Sequence, residues 1–428
     1  MIFCKKAGWG MALLFLCLIF GTGRMQKIEA AVQNVPESLE EESRLDTVGT
    51  DQETERAAVR EKKGQQEKEA GDTETDQAAA AQDELLAELD FDAIQQEVDS
   101  LLSSQQFSFA GTVRSLLQDG DPFRIFRAGN AVLSCAKTAF LAQKGLMKEL
   151  FLLVLTGAVL GSFSSLFEGK QVRDASFYMV YLLALALILK NFQSSGENLK
   201  AVITSLVAFM RILTPSYYLA AAAAGGASSA VMFYQMLLLV ILAVEKLLLA
   251  LVLPMIHIYL LIALVNDLSG EEILSHMTEL LETCVNGLLK SSLGVLVGMQ
   301  MIRNLIAPAL DSLRQMALWR TAGMIPGIGN AVNAVTELVA GSAVLIRNCF
   351  GVTAMLVLLA AGMVPAVQLL VSGLSFRLLA AAAQPVSDKR IAGCLAAAGK
   401  GYAMLLRLLL TVEVLFLLTI AILAGTFS

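Results

Sequence analysis

Residues 229–266 are almost continuously apolar, interrupted only by Glu245-Lys246 and by Pro254. Such a run is either two tightly connected membrane spans or one long span with a re-entrant piece. Comparable apolar blocks recur from Glu149 onward. Runs near the roughly 20 residues that a helix needs to cross a bilayer predict spans at about 149–167, 175–192, 200–222, 229–246, 247–266, 283–303, 349–372 and 404–425. Residues 323–346 add a further span or a re-entrant helix. The expectation is an all-α, polytopic helical membrane protein with about 8–9 membrane segments, its transmembrane domain occupying 149–428.

Upstream the pattern changes three times. In residues 1–31, Lys5 and Lys6 precede an apolar core from Met11 to Phe20. That core has the length of a signal-peptide centre and is short for a span. The segment is a signal peptide or an N-terminal anchor, and either places the adjoining residues outside the cytoplasm. Residues 32–84 are rich in Glu, Gln, Asp, Thr and Ala. They hold too little apolar surface to offset the entropy of ordering, which predicts a disordered acidic linker. Residues 85–148 form an amphipathic, membrane-proximal helical region. Leu85, Leu89, Ile94, Val98, Leu101 and Leu102 recur at mostly helical spacing, and "FSFAGTVRSLLQDGDP" reads as a second short helix stopped by Gly120 and Pro122. The stretch from Phe123 to Lys148 carries five basic residues and suits a membrane surface.

Composition fits this reading: 56% of residues are hydrophobic and 16% charged, with mean hydropathy +0.64. The net charge of −6 is misleading, because residues 37–99 alone hold 21 acidic and 6 basic residues. The remainder is left with 26 basic and 17 acidic residues, so the membrane body is basic. No basic patch is interleaved with aromatics, which argues against nucleic-acid binding. The six cysteines are scattered without a CxxC pair, and His257 and His276 are the only histidines. There is no P-loop, Ser/His/Asp arrangement or HExxH motif. The chain is therefore expected to be no enzyme and to carry no cofactor or metal.

Loop charges suggest a topology. Residues 267–282 carry Asp267, Glu271, Glu272, Glu279 and Glu282 without a Lys or Arg. Residues 377–407 carry Arg377, Lys389, Arg390, Lys400 and Arg407 against Asp388 alone. The positive-inside rule puts the second loop in the cytoplasm and leaves the first free to lie outside. Arg303, Arg314 and Arg320 also favour the inside. An even number of crossings between Arg320 and Arg377 then requires 323–346 to cross as well as 349–372. The same counting puts Lys137, Lys144 and Lys148 inside, in conflict with a signal peptide at the N-terminus.

The least ordinary membrane segment is "TAGMIPGIGNAVNAVTELVAGSAVLIRN", Thr321 to Asn348. Gly323, Pro326, Gly327 and Gly329 mark a helix break, with Pro326 suited to begin a new helix. With Asn330 at zero on a helical wheel, Asn333 falls near about −60°, Glu337 near −20°, Gly341 near +20° and Asn348 near 0°. Ile346 and Val335 lie well away. A lipid-facing stripe of this kind is unfavourable, so it should face protein or water. A kinked helix whose polar face merely packs against neighbours is the competing explanation. "LTPSYYLAAAAAGGASSA" (213–230), "GAVLG" (157–161) and "GVLVG" (294–298) are small-residue stretches that permit close helix approach.

"WRTAGMIPGIGNAVNAVTELVAGSAVLIRNCFGV", with "LTPSYYLAAAAAGGASSA" before it and "RLLAAAAQPVSDKRIAGCLAAAGKGY" after it, resembles the stage III sporulation protein AE family. The resemblance runs over roughly residues 85–428 and is most specific around 319–351. It implies a multi-pass protein of endospore-forming bacteria, made in the mother cell and placed in the outer forespore membrane. It further implies membership of a channel or secretion-like complex between mother cell and forespore. The partners would be other stage III sporulation membrane proteins and a separate ATPase subunit. The family supplies no catalytic residues. A stand-alone permease for a small solute, or a membrane scaffold without a pore, are the alternatives.

Overall fold

The computed structural model describes residues 90–102, 107–119, 129–164, 170–221, 239–269, 274–322, 329–385 and 387–425. Among these residues the chain is helical and has no strand. We label the helices α1 (Phe91–Leu101), α2 (Phe109–Asp119), α3 (Gly129–Ser164), α4 (Lys170–Ala221), α5 (Leu239–Ser269), α6 (Ser275–Ala322), α7 (Gly329–Ala383) and α8 (Lys389–Gly425). The expected signal segment and acidic linker lie outside the described residues.

Polar residues do not end these helices where hydropathy suggests. "KNFQSSGENLK", 190–200, separates two apolar runs and reads as a loop, yet it is the middle of α4. It contains no proline and a single glycine, so nothing in its backbone chemistry forces a turn. Its polar groups find partners inside the bundle: Asn191 Nδ2 donates to Tyr402 Oη at 2.7 Å, and Ser195 Oγ lies 3.3 Å from the same hydroxyl. In α5, Pro254 lacks an N–H and would crowd the preceding turn. The helix responds with one π-turn at Leu248–Val252 and then continues.

Several expected spans therefore merge. The described parts of the expected spans 175–192 and 200–222 share α4, the described part of 229–266, residues 239–266, lies in the single helix α5, and 349–372 is continuous with 329–346 in α7. Among the described residues five helical stretches are long and apolar enough to cross a membrane: Tyr178–Tyr217, Leu239–Ser269, Ser275–Met299, Gly341–Ala383 and Lys389–Ala421. The expected count of eight to nine is not reached within them.

Contacts fix the direction of each helix. At one end of the bundle Tyr181 Oη of α4 donates to Leu264 O of α5 at 2.6 Å. Arg390 Nη1 of α8 donates to Leu268 O at 3.4 Å, and a Cβ on Gly157 of α3 would touch Val180 and Ile391. At the other end Tyr217, Phe350 and Ile420 gather around Gly351. Helices α4, α6 and α8 run away from the first end, and α3, α5 and α7 run towards it.

This arrangement corrects the topology drawn from loop charges. The α5–α6 connection and the α7–α8 connection lie at the same end, not across the membrane from each other. Their opposite charges pair locally: Lys400 Nζ meets Glu282 Oε2 at 2.5 Å, and a Cβ on Gly393 would rest on the Asp267 carboxyl. Counting lysines and arginines loop by loop misses a basic stretch that lies beside an acidic one and pairs with it at Lys400 and Glu282. Since α7 is one continuous helix, 329–346 runs straight on into 349–372 without a turn between them, and Arg320 and Arg377 belong to opposite ends. In a background lacking the native cysteines, a cysteine at Ser269 and one at Asp388 are expected to react with an impermeant thiol reagent from the same side. Labelling from opposite sides would overturn the alternating bundle.

The amphipathic helices α1 and α2 pack on the second end rather than standing apart. Asp90 caps α1 by accepting from Ala93 N at 3.1 Å, and Ile94 and Val98, one turn apart, are buried. Gln95 fixes the connection: its Nε2 donates to Phe107 O at 2.7 Å, and its Oε1 accepts from Phe109 N at 2.8 Å. Phe91 and Phe109 then set their rings 6.2 and 5.0 Å from Phe350 of α7.

Candidate functional site

The polar stripe of the Thr321–Asn348 segment falls on the first turns of α7. Gly323, Pro326 and Gly327 lie outside the described residues. Gly329, Asn330, Asn333 and Glu337 are on the helix, whose backbone alone is described there. Gly341 and Asn348 are fully described and both are exposed; a Cβ on Gly341 would meet nothing within 4 Å. They are seven residues apart, so they share a face to within about 20°, while Ile346 lies about 160° from Asn348. Ile346, Ala343 and Phe350 are buried against the bundle. Gly341 and Asn348 thus turn away from the other described helices, with Leu345, also exposed, between them. The continuous helix explains why a single register holds from Gly329 onward.

Behind that face lies a group that the sequence pattern did not single out. Arg347 is 0% exposed and sits beside Tyr217, whose ring in turn lies 6.1 Å from that of Phe350. It brings a large polar group into the packed end of the bundle, next to the outward stripe.

Two further polar sets join distant helices. Midway along the bundle, Asn191 and Ser195 of α4 converge on Tyr402 of α8, and the ring of Phe192 stacks edge-on against both Tyr402 and His257, 5.2 and 5.3 Å away. His257 Nδ1 lies 2.9 Å from Leu253 O, and its ring fills the space above Gly196. Beside this set, Glu282 and Asn286 of α6 meet Lys400 and Arg407 of α8, the latter pair at 3.1 Å. Spacings of four residues on α6 and seven on α8 keep both pairs in one seam. That spacing was visible in the sequence; the pairing of the two helices was not.

The small-residue motifs divide. Gly157 is packed against α4 and α8, whereas Cβ atoms on Gly294 and Gly298 would meet no described atom within 4 Å; in "GVLVG" it is Leu296, buried in the core, that packs, not the two glycines. Pro215 stands inside α4, and 222–230 lie outside the described residues. Among the described residues no three His, Cys, Asp or Glu side chains come together where they could hold a metal ion.

These features define a class: a helical membrane protein with several apolar helices long enough to cross a bilayer, polar groups paired between helices, and one polar face turned outward. The family model for stage III sporulation protein AE matches residues 107–426, and the chain belongs to that family. The stage III sporulation protein AE of Bacillus subtilis (strain 168) is 22% identical over 291 residues, covering 67% of this chain and 73% of that protein. No solved structure matches the chain. Membership gives it a role in sporulation.

Proposed function

We propose that this protein is a membrane subunit of a channel or secretion-like complex connecting the mother cell to the forespore, needed for endospore development. In this reading it lies in the outer forespore membrane. It associates there with other stage III sporulation membrane proteins, and a separate ATPase subunit supplies the energy that a chain without a P-loop cannot. The observation that carries the reading is the outward face of α7. Asn348 and Gly341 lie on a helix apolar enough to cross a membrane, yet they point away from the bundle. Exposed polar groups on such a helix require water or a partner protein.

The test is purification of the full chain from sporulating cells under conditions that keep membrane complexes intact. Other stage III sporulation membrane proteins are expected to accompany it. Isolation of the protein alone, moving a small solute in vesicles, would replace this reading with that of a permease. Isolation alone without transport would favour a scaffold.

A further inference from the structure

Glu413 stands in the middle of the apolar stretch 404–425 and is 1% exposed. Across from it is Gly362, in the middle of the apolar stretch 349–372. A Cβ on Gly362 would fall on the Glu413 carboxyl itself, so the glycine provides the space in which that carboxyl sits. Neither a hydrogen bond nor an ion pair joins Glu413 to any described residue, and its Oε1 is buried without a partner.

The charged groups on the helices around it are engaged or placed elsewhere. On α8, Arg407 bonds Asn286 and stands about 120° around the helix from Glu413. Lys400 pairs with Glu282. On α7, Arg377 lies against Gly399, about four turns from Gly362 towards the first end, and Arg347 is beside Tyr217 at the second end. On α4 and α5, Arg211 holds Glu245 at 3.0 Å and His257 rests on Gly196. Lys137, Lys144, Lys148 and Glu149 of α3, Lys190, Glu197 and Lys200 of α4, Lys246 of α5 and Lys290 of α6 are exposed.

A carboxylate enclosed among apolar groups without a counter-charge costs several kcal/mol more than the neutral acid. The neutral acid also brings an O–H donor. One residue from Gly362, the Ala361 carbonyl lacks its usual helical donor, because Pro365 has no N–H. A proline inside a helix is also where the helix can bend. We propose that Glu413 is a proton-binding site inside the bundle, between Tyr402 and the second end. Its carboxyl is neutral while seated against Gly362 and releases its proton when α7 and α8 part at the Pro365 break. The ligand is the proton itself, and the inference does not depend on the complex proposed above.

Dicyclohexylcarbodiimide, an apolar reagent that attacks protonated carboxyls, tests this on the full-length protein in native membranes. Mass spectrometry is expected to find the adduct on Glu413, with its yield falling as the pH is raised from mildly acidic to alkaline. No adduct on Glu413 at any pH, or a yield indifferent to pH, would overturn the site. Glu413→Gln separates proton exchange from shape, because the amide is permanently neutral and nearly isosteric. It is expected to reach wild-type abundance in membrane fractions with a loss of spore yield. Full spore yield from Glu413→Gln would show that a fixed neutral group suffices and would also overturn the proposal. If that variant fails to accumulate, the adduct measurement on the unmodified chain decides.

Discussion

Gly399→Leu should remove the protein from membrane fractions. Helices α7 and α8 form the closest-packed pair of the bundle, and at Gly399 their backbones nearly touch. A Cβ there would stand 3.3 Å from Gly373 O and 3.4 Å from Arg377 N, besides striking the Arg377 side chain. A flexible side chain can move aside, but two helical backbones cannot separate without loosening the contacts around Tyr402, which is itself fully buried. Overpacking of this kind costs about 3 kcal/mol, a large part of the stability of a typical domain. Gly294→Leu is the matched control, because the same addition at Gly294 meets open space. Immunoblots of membrane fractions should show the first variant depleted and the second unchanged. Equal levels would mean that α7 and α8 do not cross at Gly373 and Gly399.

Asn348→Leu should leave abundance intact and lower spore yield. The residue is exposed and makes no contribution to the buried core, so replacing it with leucine is neutral or favourable for insertion. The loss would come from a partner left with an unmatched polar group. Such a loss weakens association by about 1–2 kcal/mol, roughly ten-fold in affinity. Glu337→Leu, on the same helix and by register on the same stripe, should behave alike. Val335→Leu, off the stripe, should be nearly silent. Spore counts beside membrane immunoblots for the three variants check this. Normal spore yield from both stripe variants would leave the face without a function.

The helical, multi-span character of the chain was legible because it rests on local composition, which hydropathy reports directly. Helix ends were less legible for a specific reason. Lys190–Lys200 and Glu245–Pro254 look like breaks in a hydropathy trace, yet the first is kept helical by partners as far away as Tyr402, 211 residues along the chain, and the second by a π-turn. The positive-inside rule failed for the loops after α5 and α7 because it reads each loop by itself, and these two lie at one end, joined by the Lys400–Glu282 ion pair. The stripe was partly legible. Its period placed Ile346 opposite Asn348, as the structure has it, but no sequence pattern said which side would face the bundle. Glu413 was visible as a lone acid in an apolar run. Its seat was not, because Gly362 gains its meaning only once α7 and α8 are packed together.

The central claim is that the outward face of α7 meets other subunits in the sporulating cell. A photo-crosslinking amino acid placed at position 348 of the full chain, and activated during sporulation, tests it most directly. We predict a crosslink to another stage III sporulation membrane protein, absent when the same group is placed at position 346 on the buried face. Crosslinks from position 348 to lipid alone, in cells that sporulate normally, would contradict the account.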